Sequence, residues 1–292
     1  MKRFFLLLLV LGCRGENGES KKITEQANKQ RTVPPLLQKF SREAIVKNLR
    51  RKVRLGQALS VHLFVPLCDN ENQGIVPVNQ ALGNGKNLKT NLYWGSRYGI
   101  KSYFKIDKHW KLLYEKKNVS ESILERIVFF RQYHTKTKVY LIADAYQGDR
   151  MQDCLKDFIN AVAGKVSGEL LVDGVKVGTN HSADLIGFNG HNGLMDVSIP
   201  TQLHTSSLQK DAVVIACISN RYFSKRLLQA QAYPLILTTG LLAPEAYVIS
   251  NIIDSWANLQ SAKRIRLSAA KGYHKYQKCG LRGAKRLFQT GW

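Results

Sequence analysis

The chain has 292 residues, 44% of them hydrophobic, with five cysteines and a formal charge of +23. That is core enough for one large domain or two small ones, and it excludes a disordered chain. The cysteines are too few and too widely spaced for a disulfide scaffold, although they leave room for one bridge. The seven histidines do not fall at zinc-site spacings with cysteine or acid, so no metal and no cofactor is expected.

The chain opens with "MKRFFLLLLVLGCRG". Lys2 and Arg3 form a positive n-region, and Phe4 to Leu11 an apolar run too short to span a bilayer. Val10 stands three residues before Cys13 and Gly12 just before it. This arrangement resembles a bacterial lipoprotein signal, which implies that residues 1–13 are a signal ending at a lipidated Cys13. The alternative is an ordinary secretory signal with an incidental cysteine. Residues 14–35 are polar and end at Pro34-Pro35, reading as a flexible tether to a single domain over residues 36–292. The implied location is the bacterial cell envelope, periplasmic or surface-facing.

Residues 36–55 have the spacing of a basic amphipathic helix. An apolar run at 58–68 fits a buried strand, and a long loop follows it. Residues 91–105 read as helical and 109–117 as a strand. Ser120 in "SESILERIVFFRQYH" has the form of a helix start, with Ile123, Ile127 and Phe130 as its stripe. Residues 138–146 form the next strand run. Met151, Cys154, Leu155, Phe158, Ile159 and Val162 then match a helix stripe that Gly164 can end. Asp173-Gly174 marks a hairpin. Runs at 183–193, 211–220 and 233–240 read as strands, those at 221–232 and 243–259 as helices. Strands alternating with helices predict a three-layer α/β domain, its sheet mostly parallel with helices on both faces. Functional residues then belong beyond the carboxyl ends of the strands.

His191 lies just past the run "ADLIGFN", and Cys217 ends "DAVVIAC", 26 residues on. On adjacent parallel strands, a thiol and an imidazole would emerge at one edge. They are the minimal set for covalent acyl transfer, with Cys217 as nucleophile and His191 as general base and acid. Backbone amides near Cys217 and at Asn192 or Gly193 can form an oxyanion site. The two motifs, "LIGFNGHNG" and "VVIACIS", are similar to those of the caspase, legumain and gingipain clan of cysteine peptidases. There the histidine ends one parallel strand and the cysteine the next. The resemblance implies a caspase-like fold and a peptide or protein substrate. The chain departs from the clan at Asn192, which intervenes before Gly193, and in the short interval between the two motifs.

Several further residues have both a functional and a structural reading. Asp69 follows the first strand where that clan builds part of its substrate pocket, but Asp at a strand end also caps turns; Gln73 and Gly74 share this ambiguity. Asp144 either lines the cleft or starts the next turn. Asp196 either orients His191 or fixes the loop, and Ser219 either lines the pocket or bonds the turn. Cys68 and Cys154 read as buried apolar filler. "GNGKN" lacks the Lys-Ser/Thr of a P-loop. From Gln260 to Trp292 there are nine Lys and Arg and no Asp or Glu. Such a surface suits anionic lipid headgroups, while nucleic acid is not expected as the partner of an exported lipoprotein. Two other classes stand beside the hydrolase. One is a non-catalytic surface lipoprotein of the same fold acting as a binding module. The other is a Rossmann-like nucleotide binder, disfavoured because no GxGxxG follows the first strand.

Overall fold

The computed structural model describes residues 38–292. The expected signal, Cys13 and the tether lie outside the described residues. The basic amphipathic segment forms helix α1 (Glu43–Arg54), which buries Ile45 and Leu49. Strand β1 (Leu59–Pro66) follows and is buried along its whole length. Next come α2 (Ile100–Ile106), β2 (Lys111–Lys117), β3 (Ile123–Gln132), β4 (Lys138–Tyr146) and α3 (Met151–Val162). The Asp173-Gly174 hairpin joins β5 (Ser167–Val172) to β6 (Val175–Asn180), with positive φ at both turn residues (47° and 77°), as a type I′ turn requires. The chain then runs through β7 (Leu185–Asn189), β8 (Lys210–Ile215), α4 (Ser219–Gln229), β9 (Ala232–Thr238), α5 (Ala246–Ala257), α6 (Ala262–Gln277), α7 (Leu281–Leu287) and β10 (Phe288–Gln289).

The main sheet has the order β10-β9-β8-β7-β1-β4-β3-β2. The five strands from β9 to β4 are mutually parallel, and β10, β3 and β2 are antiparallel additions at the edges. Helices α1, α2, α5, α6 and α7 bury their apolar sides on one face. Helices α3 and α4 cover the other face, with the β5–β6 hairpin beside them. The result is a three-layer α/β architecture. Both faces of the parallel strands are covered, which is why their sequences are unbroken apolar runs.

One expected helix is a strand, and another is only partly helical. The segment with the Ser120 start forms β3 instead. Its i, i+4 stripe is also a period-2 pattern: Ile127 and Phe129 face one core, Val128 and Phe130 the other. β-Branched and aromatic residues favour that half-buried pleat. Ser120 Oγ still accepts the Ile123 amide (3.1 Å), but the turn it closes leads into a strand. Residues 91–99 form successive turns, and only 100–106 are helical. At Gly95 and Gly99 a Cβ would lie 2.2 Å from the Leu88 carbonyl oxygen and 2.4 Å from the Trp94 backbone, so the chain folds back on itself there.

Buried charges pin helices to the amino ends of the strands. Arg42 binds Asp211 with two bonds (2.7 and 2.6 Å), and the Trp256 indole donates to the same carboxylate (3.1 Å). Lys52 binds Asp184, whose Oδ2 also accepts the Ser60 amide (3.0 Å). Within the sheet, Asp144 lies in the body of β4 and is buried, so it neither lines a cleft nor starts a turn. Arg126 binds it through Nε and Nη2 (2.6 and 2.7 Å), and His62 Nε2 lies 3.0 Å away. Burial alone would push this carboxyl up, but Arg126 and His62 more than offset that and hold it below the ordinary carboxylate range.

Replacing Arg126 with Met leaves Asp144 buried without its main partner and should cost about 3–5 kcal/mol of stability at neutral pH. The native carboxylate contributes stability above the unfolded carboxyl's titration, near pH ~4, and loses it as pH falls through its lower folded value. The gap between native and R126M proteins in urea unfolding should therefore narrow on acidification. A gap constant from pH 7 to 3 would contradict this assignment.

Candidate active site

Register places the two candidate residues. β7 and β8 are parallel neighbours, with Asn189 opposite Ile215 at their carboxyl ends. The Gly190 amide extends the ladder by one bond to the Ile215 carbonyl (3.1 Å). His191 and Cys217 each stand two residues beyond that last pair, so they leave the sheet at the same level from strands about 4.8 Å apart. The side-chain amide of Asn189 donates to the Pro244 carbonyl (2.9 Å), bringing the segment before α5 over the same edge.

Cys217 sits on a sharp strand-to-helix turn. The next residue, Ile218, has φ 49° and ψ 36°. This left-handed conformation is costly for a β-branched side chain. It is held by the Ile218 amide on the Gly240 carbonyl (2.9 Å). A closed box of Ser219 and Thr238 holds it further: the Ser219 amide donates to Thr238 Oγ1 (3.0 Å), and the Thr238 amide to Ser219 Oγ (2.8 Å). Ser219 is buried and bonds the Val214 carbonyl (2.9 Å), so it builds the turn and does not line a pocket. The Cys217 thiol is partly exposed and free, and it rests 3.6 Å from the Leu242 carbonyl. No hydrogen bond joins it to His191 among the described residues. The Tyr93 hydroxyl is near it; burial pushes this phenol well up, with Cys68 and Cys217 adding to the effect.

His191 is held at one nitrogen. Its Nε2 lies 2.7 Å from Asp196 Oδ2, and the same oxygen accepts the Gly74 amide (3.0 Å). A Cβ at Gly74 would lie 2.5 Å from Asp196 Oδ1, so glycine permits the loop after β1 to reach the carboxylate. With Asp196 as acceptor, Nε2 carries the hydrogen and Nδ1 presents a lone pair. Nδ1 is the nitrogen left for chemistry.

Asn192 joins the two strand ends. It is buried, and its Nδ2 donates to the Cys217 carbonyl (2.6 Å), while Oδ1 is buried without a partner. The residue that departs from the clan's pattern is thus a clamp on the candidate nucleophile. The Gly193 amide donates to the His191 carbonyl (3.0 Å), which takes it out of any oxyanion site in this conformation. A Cβ there would lie 2.3 Å from the Met151 side chain, so the glycine lets this turn pack directly against α3. The amides of Cys217 and Asn192 make no hydrogen bond to a described residue.

The remaining candidates divide. Asp69 closes an Asx turn, accepting from the Glu71 and Asn72 amides (3.0 and 3.2 Å) and from Asn72 Nδ2 (2.9 Å). It also lines a depression of about 230 Å³ with Glu71, Asn84, Lys86 and Asp149. Gln73 locks that loop to the Leu67 and Gly148 carbonyls. Cys68 and Cys154 are buried; burial pushes the Cys68 thiol up to about 11 and raises Cys154 as well. A concavity of about 860 Å³ lies at the other end of the strands, between α1 and residues 259–262, and has no part in this arrangement. The two orienting groups, Asp196 and Asn192, were only half visible in the sequence. A five-residue spacing is a weak signal, and nothing in "GHNG" says which atom an asparagine holds. No protein family, curated protein or solved structure matches the chain.

Replacing Asn192 with Ala removes the clamp and should cost about 1–2 kcal/mol in thermal or urea unfolding. It should also make the Cys217 segment exchange amide hydrogens faster than the rest of the sheet. Unchanged protection of residues 216–219 would show that Asn192 does not hold this turn.

Proposed function

We propose that the chain is a cysteine-type hydrolase acting by acyl transfer on a peptide or protein. The observation that carries this reading is the register: a histidine and a cysteine stand at equivalent positions beyond the same paired residues of two adjacent parallel strands. That is also the arrangement of the caspase, legumain and gingipain clan that the two motifs resemble. A caspase-like assignment of the three-layer fold belongs to the same proposal.

The chemistry follows from the groups present. A rotation about the Cys217 side chain takes the thiol off the Leu242 carbonyl toward His191, whose Nδ1 accepts its proton. The thiolate attacks the substrate carbonyl, and the resulting oxyanion is received by the Cys217 and Asn192 amides. His191, now protonated and steadied by Asp196, gives its proton to the leaving amine. Water, deprotonated at the same nitrogen, then hydrolyses the thioester and restores the thiol. Apo sites often hold such partners apart until substrate is bound, and the Leu242 contact fits that resting state. The strained Ile218 supports this reading too, since backbone strain concentrates at functional turns.

One observation favours a second reading, a non-catalytic binding module of the same fold. The thiol is engaged with the Leu242 carbonyl. The anchoring of either protein to a bacterial envelope through Cys13 is part of the proposal. Palmitate incorporation that persists in Cys13→Ser would remove it.

The two readings separate on thiol chemistry. In a Cys13→Ser, Cys279→Ser background, iodoacetamide should modify Cys217 at least ~10-fold faster than an unassisted thiol of equal exposure. It should leave Cys68 and Cys154 untouched until the protein unfolds. His191→Ala should abolish the acceleration, and Asp196→Asn should reduce it. Ordinary reactivity of Cys217, indifferent to His191, would establish the binding module instead.

A further inference from the structure

We propose that the groove between α1 and the start of α6 docks the domain onto the phosphates of an anionic membrane surface. The groove encloses about 860 Å³. One wall is the solvent side of α1. Lys47, Arg50, Arg51 and Arg54 line it, and all four are exposed. Arg51 bonds only the neutral Asn48 side chain (3.0 Å), and none of the four has an acidic partner among the described residues. Glu43 is the one acid in the lining; it stands at i, i+4 to Lys47 but makes no ion pair with it. Arg42 also lines the groove but is spent on Asp211.

Position on the helix makes the four cations act together. From Lys47 to Arg54 the helix rises about 10 Å, and Arg50 and Arg51 each lie about one turn from both, so the i, i+3, i+4, i+7 spacing puts all four on one side. A row of uncompensated charge at that spacing can meet several headgroups at once. A folding role does not explain it, because the buried side of α1 already supplies the packing through Ile45 and Leu49, and Lys52 supplies the ion pair.

Three features select a lipid surface over a soluble polyanion. The opposite wall includes Leu259 and Ala262, with Val46 on the α1 side, so the groove is apolar beneath its cations. Leu55, directly after Arg54, is 58% exposed, an apolar side chain flanking the basic row as interfacial helices have. The groove also lies at the amino ends of the strands, where Arg42 and Asp211 meet. Docking there leaves the edge carrying His191 and Cys217 facing away from the surface. The inference does not depend on whether Cys217 is catalytic.

The test uses the full chain carrying Cys13→Ser, so that no acyl chain contributes, and compares it with the same chain carrying K47Q, R50Q, R51Q and R54Q. Flotation with phosphatidylcholine vesicles, with and without phosphatidylglycerol, measures partition. The parent should prefer the anionic vesicles, with a preference that weakens as salt rises. The quadruple variant should lose at least about 100-fold of that preference, since each basic residue near an anionic surface is worth roughly fivefold. Its melting temperature should match the parent's, because all four side chains are exposed. Retained preference in the variant would overturn the proposal. Displacement by inorganic phosphate beyond that caused by chloride at equal ionic strength would also overturn it, in favour of a soluble phosphate ligand. Tighter binding to duplex DNA than to vesicles, lost in the variant, would assign the groove to nucleic acid and equally end the lipid reading.

Discussion

The backbone pairing of β7 with β8 is the constraint on which the site depends. Register between these two parallel strands is set by packing on both faces, because a slip of one residue would exchange the side chains that fill the two cores. Phe188 and Val214, opposite each other in that ladder, are both fully buried, and so are their neighbours. The positions two residues beyond the last pair are therefore determined by core packing far from any chemistry. The same pairing brings a thiol and an imidazole level at one edge of the sheet.

Polar groups are divided between the two ends of the sheet. At the amino ends they hold helices down: Arg42, Asp211 and Trp256 tie α1 and α5 to β8, and Lys52 with Asp184 ties α1 to β1 and β7. At the carboxyl ends they hold loops instead. Asp196 links the turn after β7 to the loop after β1, and Asn192 links it to the turn after β8. The His191 ring thus has its orientation set by a segment more than a hundred residues earlier in the chain. This second set of bonds leaves the amides of Cys217 and Asn192 without a partner among the described residues.

The parallel strands were legible in the sequence because burial on both faces forces continuous apolar runs, and their order of appearance led to His191 and Cys217. The hairpin was legible from Asp173-Gly174 for a similar reason: only a few residue pairs tolerate two positive φ angles. Legibility failed where two periodicities coincide. In "ILERIVFF" the same residues satisfy a helical stripe and a strand alternation, and only pairing with β2 and β4, which no local window contains, decides for the strand. Asp144 misled for a related reason, since a carboxylate near a strand end looks catalytic until Arg126 is brought across from the neighbouring strand. The clamp made by Asn192 was invisible because it exists only after β8 has been laid beside β7.

The antiparallel strand β10 is two residues long, Phe288 and Gln289 against Thr238 and Leu237 of β9, yet it changes the character of the whole sheet margin. Phe288 is buried against the core, so the short strand is held by its side chain more than by its ladder. Arg266 reinforces it by donating to the Phe288 carbonyl (2.5 Å). Without residues 288–292, β9 would present an unpaired apolar edge, and such an edge recruits strands from other molecules. The shortest element of the fold therefore acts as its guard against self-association, and a chain missing it would be expected to fail by aggregating before it failed by unfolding.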